Sequence, residues 1–459
     1  MPRMRRNLPP ACLLPGCLLP VVIAAPLCAM APATATPSPA GNADLELLDA
    51  LRSLRAEIAE FKRSVDDPEH ARLDEARAQE IRSLVAEVIA DADTRASLQG
   101  SGVTAGWNKG FFLASPDGNF SLKISGYAQI SWIYGHRSDP PSGQDGSQSG
   151  FENRRTYITF DGHVVDPSWV YRVQGNFQRS GGVFLLQDTY VRKNFDGGFF
   201  VQGGQAKAPF MRETLASDAG LLLVDRSVVE ATFGIGRTQG VFVGWSNDTF
   251  RIVGTYCDGS QPAGGANNGW DFPTTEYAFI GRAEAKFGGN WNQFNGMTSF
   301  PDDEKSGLIG AAVLWQRGDT GSRFAGVETL GWTVDGTLNL GGASLFAAVV
   351  GRHLDSDDGN FDQFGPYGQG GIFVAPTVEL FGRYEWADSD TSGADLSLVT
   401  AGANWYIARQ QLKLSGDIGY GINAVSPFFG ATSSATGWRT DAEGDDGQIV
   451  VRVQFQLMF

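Results

Sequence analysis

The chain has 459 residues, with 36 Lys and Arg against 51 Asp and Glu, for a formal net charge of −15. So acidic a balance argues against a nucleic-acid partner, which needs a basic face. Past the N-terminal leader no run of about 18 apolar residues occurs, which excludes a helical membrane span but leaves open a transmembrane β-barrel, whose apolar residues alternate with polar ones.

Arg3, Arg5 and Arg6 precede an apolar, proline-interrupted stretch from Ala11 to Ala25, and small-x-small sites follow at Ala29-Met30-Ala31 and Ala33-Thr34-Ala35. That order predicts an export signal peptide over residues 1–35. Cys12, Cys17 and Cys28 fall within it, so the mature chain keeps only Cys257 and forms no internal disulfide. Next, Leu47, Leu51, Leu54, Ile58, Phe61 and Val65 fall at alternating spacings of four and three. Such a heptad seam predicts a helical coiled-coil segment over 42–98, broken at Asp66-Asp67-Pro68 and resumed by Ile81, Leu84 and Val88. With 14 acidic against 8 basic residues over 41–105, this segment is no anchor for an anionic membrane.

From Gly106 onward the period changes to two, punctuated by Gly, Asn, Asp and Pro. Sixteen strands are expected over 106–459: 119–134, 151–165, 168–178, 183–194, 198–206, 237–246, 248–257, 275–287, 306–317, 324–340, 343–354, 367–375, 377–387, 395–407, 409–422 and 447–459. The fold class is therefore all-β, a transmembrane antiparallel β-barrel preceded by a periplasmic helical segment. An even strand number suits a bacterial outer-membrane barrel, as do the connections. Asp166-Pro167, Ser246-Asn247, Gly341-Gly342, Pro376 and Ala408 are minimal turns on one side. The long connections 135–150, 207–236, 258–274, 355–366, 388–394 and 423–446 share the other, and only 288–305 is long on the inner side. Trp132, Tyr134, Trp169, Tyr171, Trp245, Trp315, Trp386, Trp405 and Tyr406 gather near strand ends, where amphipathic rings suit the headgroup level. In the last strand Ile449, Val451, Val453, Phe455, Leu457 and Phe459 form one apolar face toward lipid. The terminal Phe459 is the aromatic that barrel-assembly machinery reads.

"FFLASPDGNFSLKISGYAQISW", "FENRRTYITFDG", "YRVQGNFQRSGGVFLLQDTYV", "GGQAKAPFMRETLASDAGLLLVDRSVV" and "TSFPDDEKSGLIGAAVLWQ" resemble outer-membrane porins of the phosphate-selective O/P superfamily. The resemblance covers most of 106–459. It implies sixteen strands, a homotrimer, passive diffusion through each subunit's pore, and a constriction loop folded inward. The loop matching by position and type is 207–236, which carries "KAPFMRE" and "VDRS". Its apolar Leu221, Leu222, Leu223, Val224, Val228 and Val229 need burial, which the barrel interior offers. Lys207, Arg212 and Arg226 are its candidates for an anion-attracting eyelet, with Glu213 and Asp225 opposing them.

Strand parity places Lys123, Arg172, Arg251, Arg282, Lys286, Arg383, Lys413 and Arg452 on the lumenal face, joined by Arg192, with Glu276, Glu284, Glu379, Glu385 and Asp417. Arg or Lys on the lipid face near the midplane costs about 2–4 kcal/mol, so inward is the default. Such cations either attract anions or pair with lumenal carboxylates and stiffen the wall. Between 106 and 459 there are 25 basic and 37 acidic residues, with much of the excess in the outer stretches 355–362, 388–395 and 441–447. Those stretches suit divalent cations bridging to lipopolysaccharide, or simply solvent. No nucleophile motif or metal-ligand cluster is present, and His136 before Ser138 in "GHRSDPPSG" lacks an orienting group, so neither an enzyme nor a cofactor is expected. The expected function is passage of small hydrophilic solutes, anions such as phosphate among them. A substrate-specific oligosaccharide channel and an envelope tether of low conductance are the alternatives.

Overall fold

Alternation dictates the architecture. In the final strand Val450, Arg452, Gln454 and Gln456 are buried while Val453, Phe455 and Leu457 are exposed. A strand turns successive side chains to opposite faces, so one face of each strand looks into the barrel and the other outward. The computed structural model describes residues 102–459 except 139, 261–274, 319–325, 358, 391–394 and 442–446, together with Arg52, Ser53, residues 55–57 and Ser83. Two compact units result, Met1–Arg95 and Ala96–Phe459. The signal peptide over 1–35 lies outside the described residues, as does nearly all of the 42–98 segment; its few described residues are helical.

Among the described residues of the second unit, a short hairpin of β1 (Thr104–Trp107) and β2 (Phe111–Ala114) precedes sixteen barrel strands. The first eight are β3 (Ser121–His136), β4 (Ser147–His163), β5 (Trp169–Phe177), β6 (Phe184–Asn194), β7 (Phe199–Lys207), β8 (Arg237–Ser246), β9 (Phe250–Cys257) and β10 (Thr275–Phe287). The rest are β11 (Ser306–Gly318), β12 (Glu328–Asn339), β13 (Ala343–Ser356), β14 (Gly359–Ala375), β15 (Val378–Ser389), β16 (Leu396–Ala408), β17 (Leu412–Gly421) and β18 (Ile449–Met458). Each pairs antiparallel with its sequence neighbours, and β18 closes on β3 with Gln456 opposite Gln129 and Val451 opposite Tyr134. Closure leaves no open edge. Below Tyr127, where β18 stops, β2 takes over the edge of β3, with Phe111 opposite Ile124.

All sixteen expected strands are present, and the differences lie in the connections. The expected outer connection 355–366 is mostly strand: β13 and β14 run on past the membrane zone, with His353 Nδ1 2.8 Å from Asp362 Oδ1. Polar composition marked it as loop, but cross-strand pairs of polar residues extend a hairpin in water as well. Expected loop 258–274 falls largely outside the described residues. The minimal turn at Gly341-Gly342 holds both residues at positive φ, 70° and 96°, which only glycine adopts without strain. Tyr406 is also corrected. It lies one residue past Trp405, which is 51% exposed, so parity turns it inward, where its hydroxyl meets Glu379 at 2.6 Å.

β7 and β8 are short, and Lys207 pairs with Arg237 at their upper end. The connection between them therefore leaves the wall early and enters the lumen. Its Phe210, Leu222, Leu223, Val228, Val229 and Phe233 are buried in one apolar cluster. That cluster continues into lumenal side chains of β13–β16 and into Val425, Phe429 and Trp438 of the outer connection 422–448. Each buried side chain of this size stabilises by roughly 1.5–3 kcal/mol.

Candidate functional site

The inserted loop divides the lumen. On the β13–β18 side its backbone is held by the wall: Lys413 Nζ donates to Leu221 O at 3.0 Å, Asn404 Nδ2 to Leu222 O at 2.8 Å, and Gln456 Nε2 to Ala219 O at 3.0 Å. Asp417 accepts from Val224 N at 3.2 Å, and Glu385 accepts from Val228 N at 2.6 Å. The helix Val228–Phe233 begins there, capped by Ser227, which accepts from Glu230 N. Arg383 donates to Asp225 O at 3.0 Å and pairs with Glu213 at 2.8 Å, both side chains fully enclosed.

Two of the loop carboxylates, Asp218 and Asp225, are gripped by cations. Arg154 and Arg155 reach the two oxygens of Asp225 at 2.7 and 2.6 Å, while Asp218 takes Arg155 at 3.3 Å, Arg226, and the Tyr127 hydroxyl at 3.0 Å. Burial by itself would raise both carboxyls. The guanidiniums of Arg154 and Arg155 at Asp225, and of Arg226 and Arg155 at Asp218, overcome it and hold both below the usual carboxylate range. Burial pushes Glu230 the other way, well up, and Glu213 adds to the push.

On the opposite side, between the loop and β5–β10, lies a cavity of about 500 Å³. Six cations line it, Arg172, Arg192, Lys207, Arg212, Arg251 and Arg282, against two carboxylates, Asp188 and Glu284. Glu284 alone faces three guanidiniums, Arg282 at 2.9 Å, Arg212 at 3.4 Å and Arg251 at 3.7 Å. Arg172 and Arg251 keep about a third of their side chains exposed, 37% and 35%. Arg192 gives Nε and Nη2 to Gln202 Oε1 at 2.9 and 2.6 Å and has no carboxylate partner among the described residues. Arrayed cations on a low-dielectric wall attract anions and raise their local concentration.

Residues 126–284 match the family model described as phosphate-selective porin O and P. That match runs from β3 to β10. An anion-selective porin from Comamonas acidovorans has a similar fold, with a TM-score of 0.54 at 12% identity over 74% of this chain and 100% of that one. The outer-membrane channel DcaP of Acinetobacter baumannii gives a TM-score of 0.49 at 10% identity, over 77% of this chain and 100% of that one. OmpT of Vibrio cholerae gives 0.49 at 13%, over 74% and 98%. No curated protein matches the chain. The family and the closed barrel support a porin channel of the outer membrane.

The barrel separates its expected site residues by position. Arg172, Arg192, Lys207, Arg212, Arg251 and Arg282 meet on the cavity. Arg383, Lys413 and Arg452 instead hold loops, Arg452 through Asp417 at 2.7 Å and Thr436 O at 2.9 Å. Arg226 turns into the loop, where Nε donates to Glu213 O at 3.3 Å, and Glu213 and Asp225 lie away from the cavity among their cations. Lys286 ties to Gly289 O at 2.7 Å near the inner end, and Lys123 sits opposite Phe112 of β2. Sequence reasoning passed over Arg154, Arg155 and Asp188. A register shift at Gln129/Ile130 lets neighbouring Arg154 and Arg155 reach one carboxylate, and a bulge of this kind leaves no mark in a two-residue pattern.

Proposed function

We propose that this porin passes small hydrophilic solutes through the open half of its lumen and prefers anions, phosphate among them. One observation carries the reading: six basic side chains against two carboxylates border the cavity, and Arg172, Arg192 and Arg251 remain partly exposed in it. The residues that hold the constriction loop contribute shape, and those three arginines contribute selectivity. The same reading takes 1–35 as an export signal and 42–98 as a periplasmic coiled coil. It takes the assembly as a homotrimer in lipid and lipopolysaccharide, inserted by barrel-assembly machinery acting on the strand that ends in Phe459.

The test is a planar-bilayer recording under a KCl gradient. The wild type is expected to give stepwise conductance with an anion-selective reversal potential, and phosphate to reduce the chloride current. Arg192→Gln with Arg251→Gln should move the reversal potential toward zero with the conductance steps retained. A cation-selective wild type would refute the anion preference.

A further inference from the structure

The cavity wall carries more than charge. Tyr190 of β6, Phe200 of β7, Phe242 of β8 and Val253 of β9 border it from four adjacent strands. They form one patch, because Gln202 stands opposite Phe242 and Gly244 opposite both Phe200 and Val253. None of the four belongs to the apolar cluster that buries the constriction loop. The Phe200 ring overlies Gly244, where a Cβ would come within 2.3 Å of it. The apolar lumenal side chains of β13–β16 are instead covered by the constriction loop and the outer connection.

The cations stand directly on this patch. The Arg192 guanidinium lies 4.1 Å from the Phe200 ring centroid and 5.6 Å from that of Tyr190. At the patch's other edge the Arg251 guanidinium lies 4.1 Å from the centroid of Trp291, a residue of the inner connection 288–305. A guanidinium on a ring presents its N–H edge sideways, in the plane where a carboxylate accepts two parallel bonds, while neighbouring aromatic faces accept a flat body. Inorganic anions gain nothing from the apolar part, and losing their own hydration beside it costs them.

We infer that this cavity selects organic carboxylates with a flat apolar body, of the benzoate class, over equally charged anions that lack one. The inference rests on the anion preference proposed above and names the class of anion. The carboxylate is drawn to Arg192 or Arg251, and the ring slides along the partly exposed Tyr190 and Phe200.

Bi-ionic reversal potentials across the full-length porin test it, with potassium benzoate on one side and potassium acetate on the other, alongside the KCl gradient. Benzoate is expected to be more permeant than acetate by about threefold or more, although it is the larger ion and diffuses more slowly. Tyr190→Ser and Phe200→Ser should bring the ratio down toward unity. Benzoate at or below acetate in an anion-selective wild type overturns the inference and leaves the anion preference standing. Cation selectivity in KCl overturns both. Should either variant fail to assemble, the wild-type ratio decides alone, checked by whether benzoate reduces the chloride current at concentrations where acetate does not.

Discussion

Glu213 and Arg383 illustrate how a lumenal charge becomes structural. Their 2.8 Å pair is shut away from water, with Ser227 Oγ also donating to Glu213 at 2.8 Å and Gln369 Oε1 accepting from Arg383 at 2.7 Å. Removing one partner of such a pair strands the other charge in a poor solvent. Arg383→Ala is expected to destabilise the porin by about 3–5 kcal/mol, seen as a lower urea midpoint, whereas Arg172→Ala, at the wetter wall, is expected to cost under about 1 kcal/mol. Parity alone put Arg383, Arg172 and Arg251 inside, so direction was legible in the sequence. Role was not: it depends on which half of the lumen each strand borders, and therefore on contacts between residues 170 positions apart such as Glu213 and Arg383. The same holds for Tyr406, whose place near a strand end suggested a girdle while its parity pointed inward.

At the scale of elements, the connection 288–305 stood out in the sequence as the one long inner turn, and its packing supplies the reason for its length. Asn290 and Gln293 form a capping box on the short helical turn Trp291–Asn295. From there the segment reaches up to the constriction loop: Ser217 N donates to Asn295 O and Met297 N to Gly220 O, both at 2.8 Å. Gly220 and Gly296 touch backbone to backbone, since a Cβ on Gly220 would come within 2.8 Å of Gly296 Cα. Gly220→Val is therefore expected to part the two segments, and single-channel records should show a noisier open state than the wild type. Glu230, in the loop helix, yields a pH test. A carboxyl raised on folding favours the protonated form, so its presence is harmless at low pH and costs stability as pH climbs from its ordinary value near 4.5 toward the raised one. Glu230→Gln should raise the unfolding temperature at pH 8 and leave it nearly unchanged at pH 4. The apolar run Leu221–Val224 announced that this loop must be buried, but a run of leucines does not say which wall it meets.

For the molecule as a whole, the barrel was readable because every strand repeats the same two-residue rule, whereas the division of its lumen was not, because it arises where loops far apart in sequence meet. The outer connection 422–448 contributes the helix Pro427–Ser433, with Phe429 fully buried and Trp438 nearly so, against Val228, Val229 and Phe233 of the constriction loop side. It is stitched to the first outer connection, Arg439 Nη2 donating to Gly146 O at 3.0 Å and Arg137 donating to Thr440 O. Two loops thus fill one half of the barrel, and the second braces the first. Removing the brace should act on pore size, since the arginines of the open half sit on the wall itself and stay in place. Replacing 427–436 by a short Gly-Ser linker is expected to leave folded, membrane-inserted porin whose single-channel conductance exceeds the wild type's. Its KCl reversal potential should lie closer to zero, because a wider lumen puts more of the current beyond the roughly 8–10 Å screening length of Arg172, Arg192 and Arg251. Unchanged conductance would mean that the wall contacts of Lys413, Asn404 and Glu385 hold the constriction loop unaided, and that the outer helix covers a structure already closed.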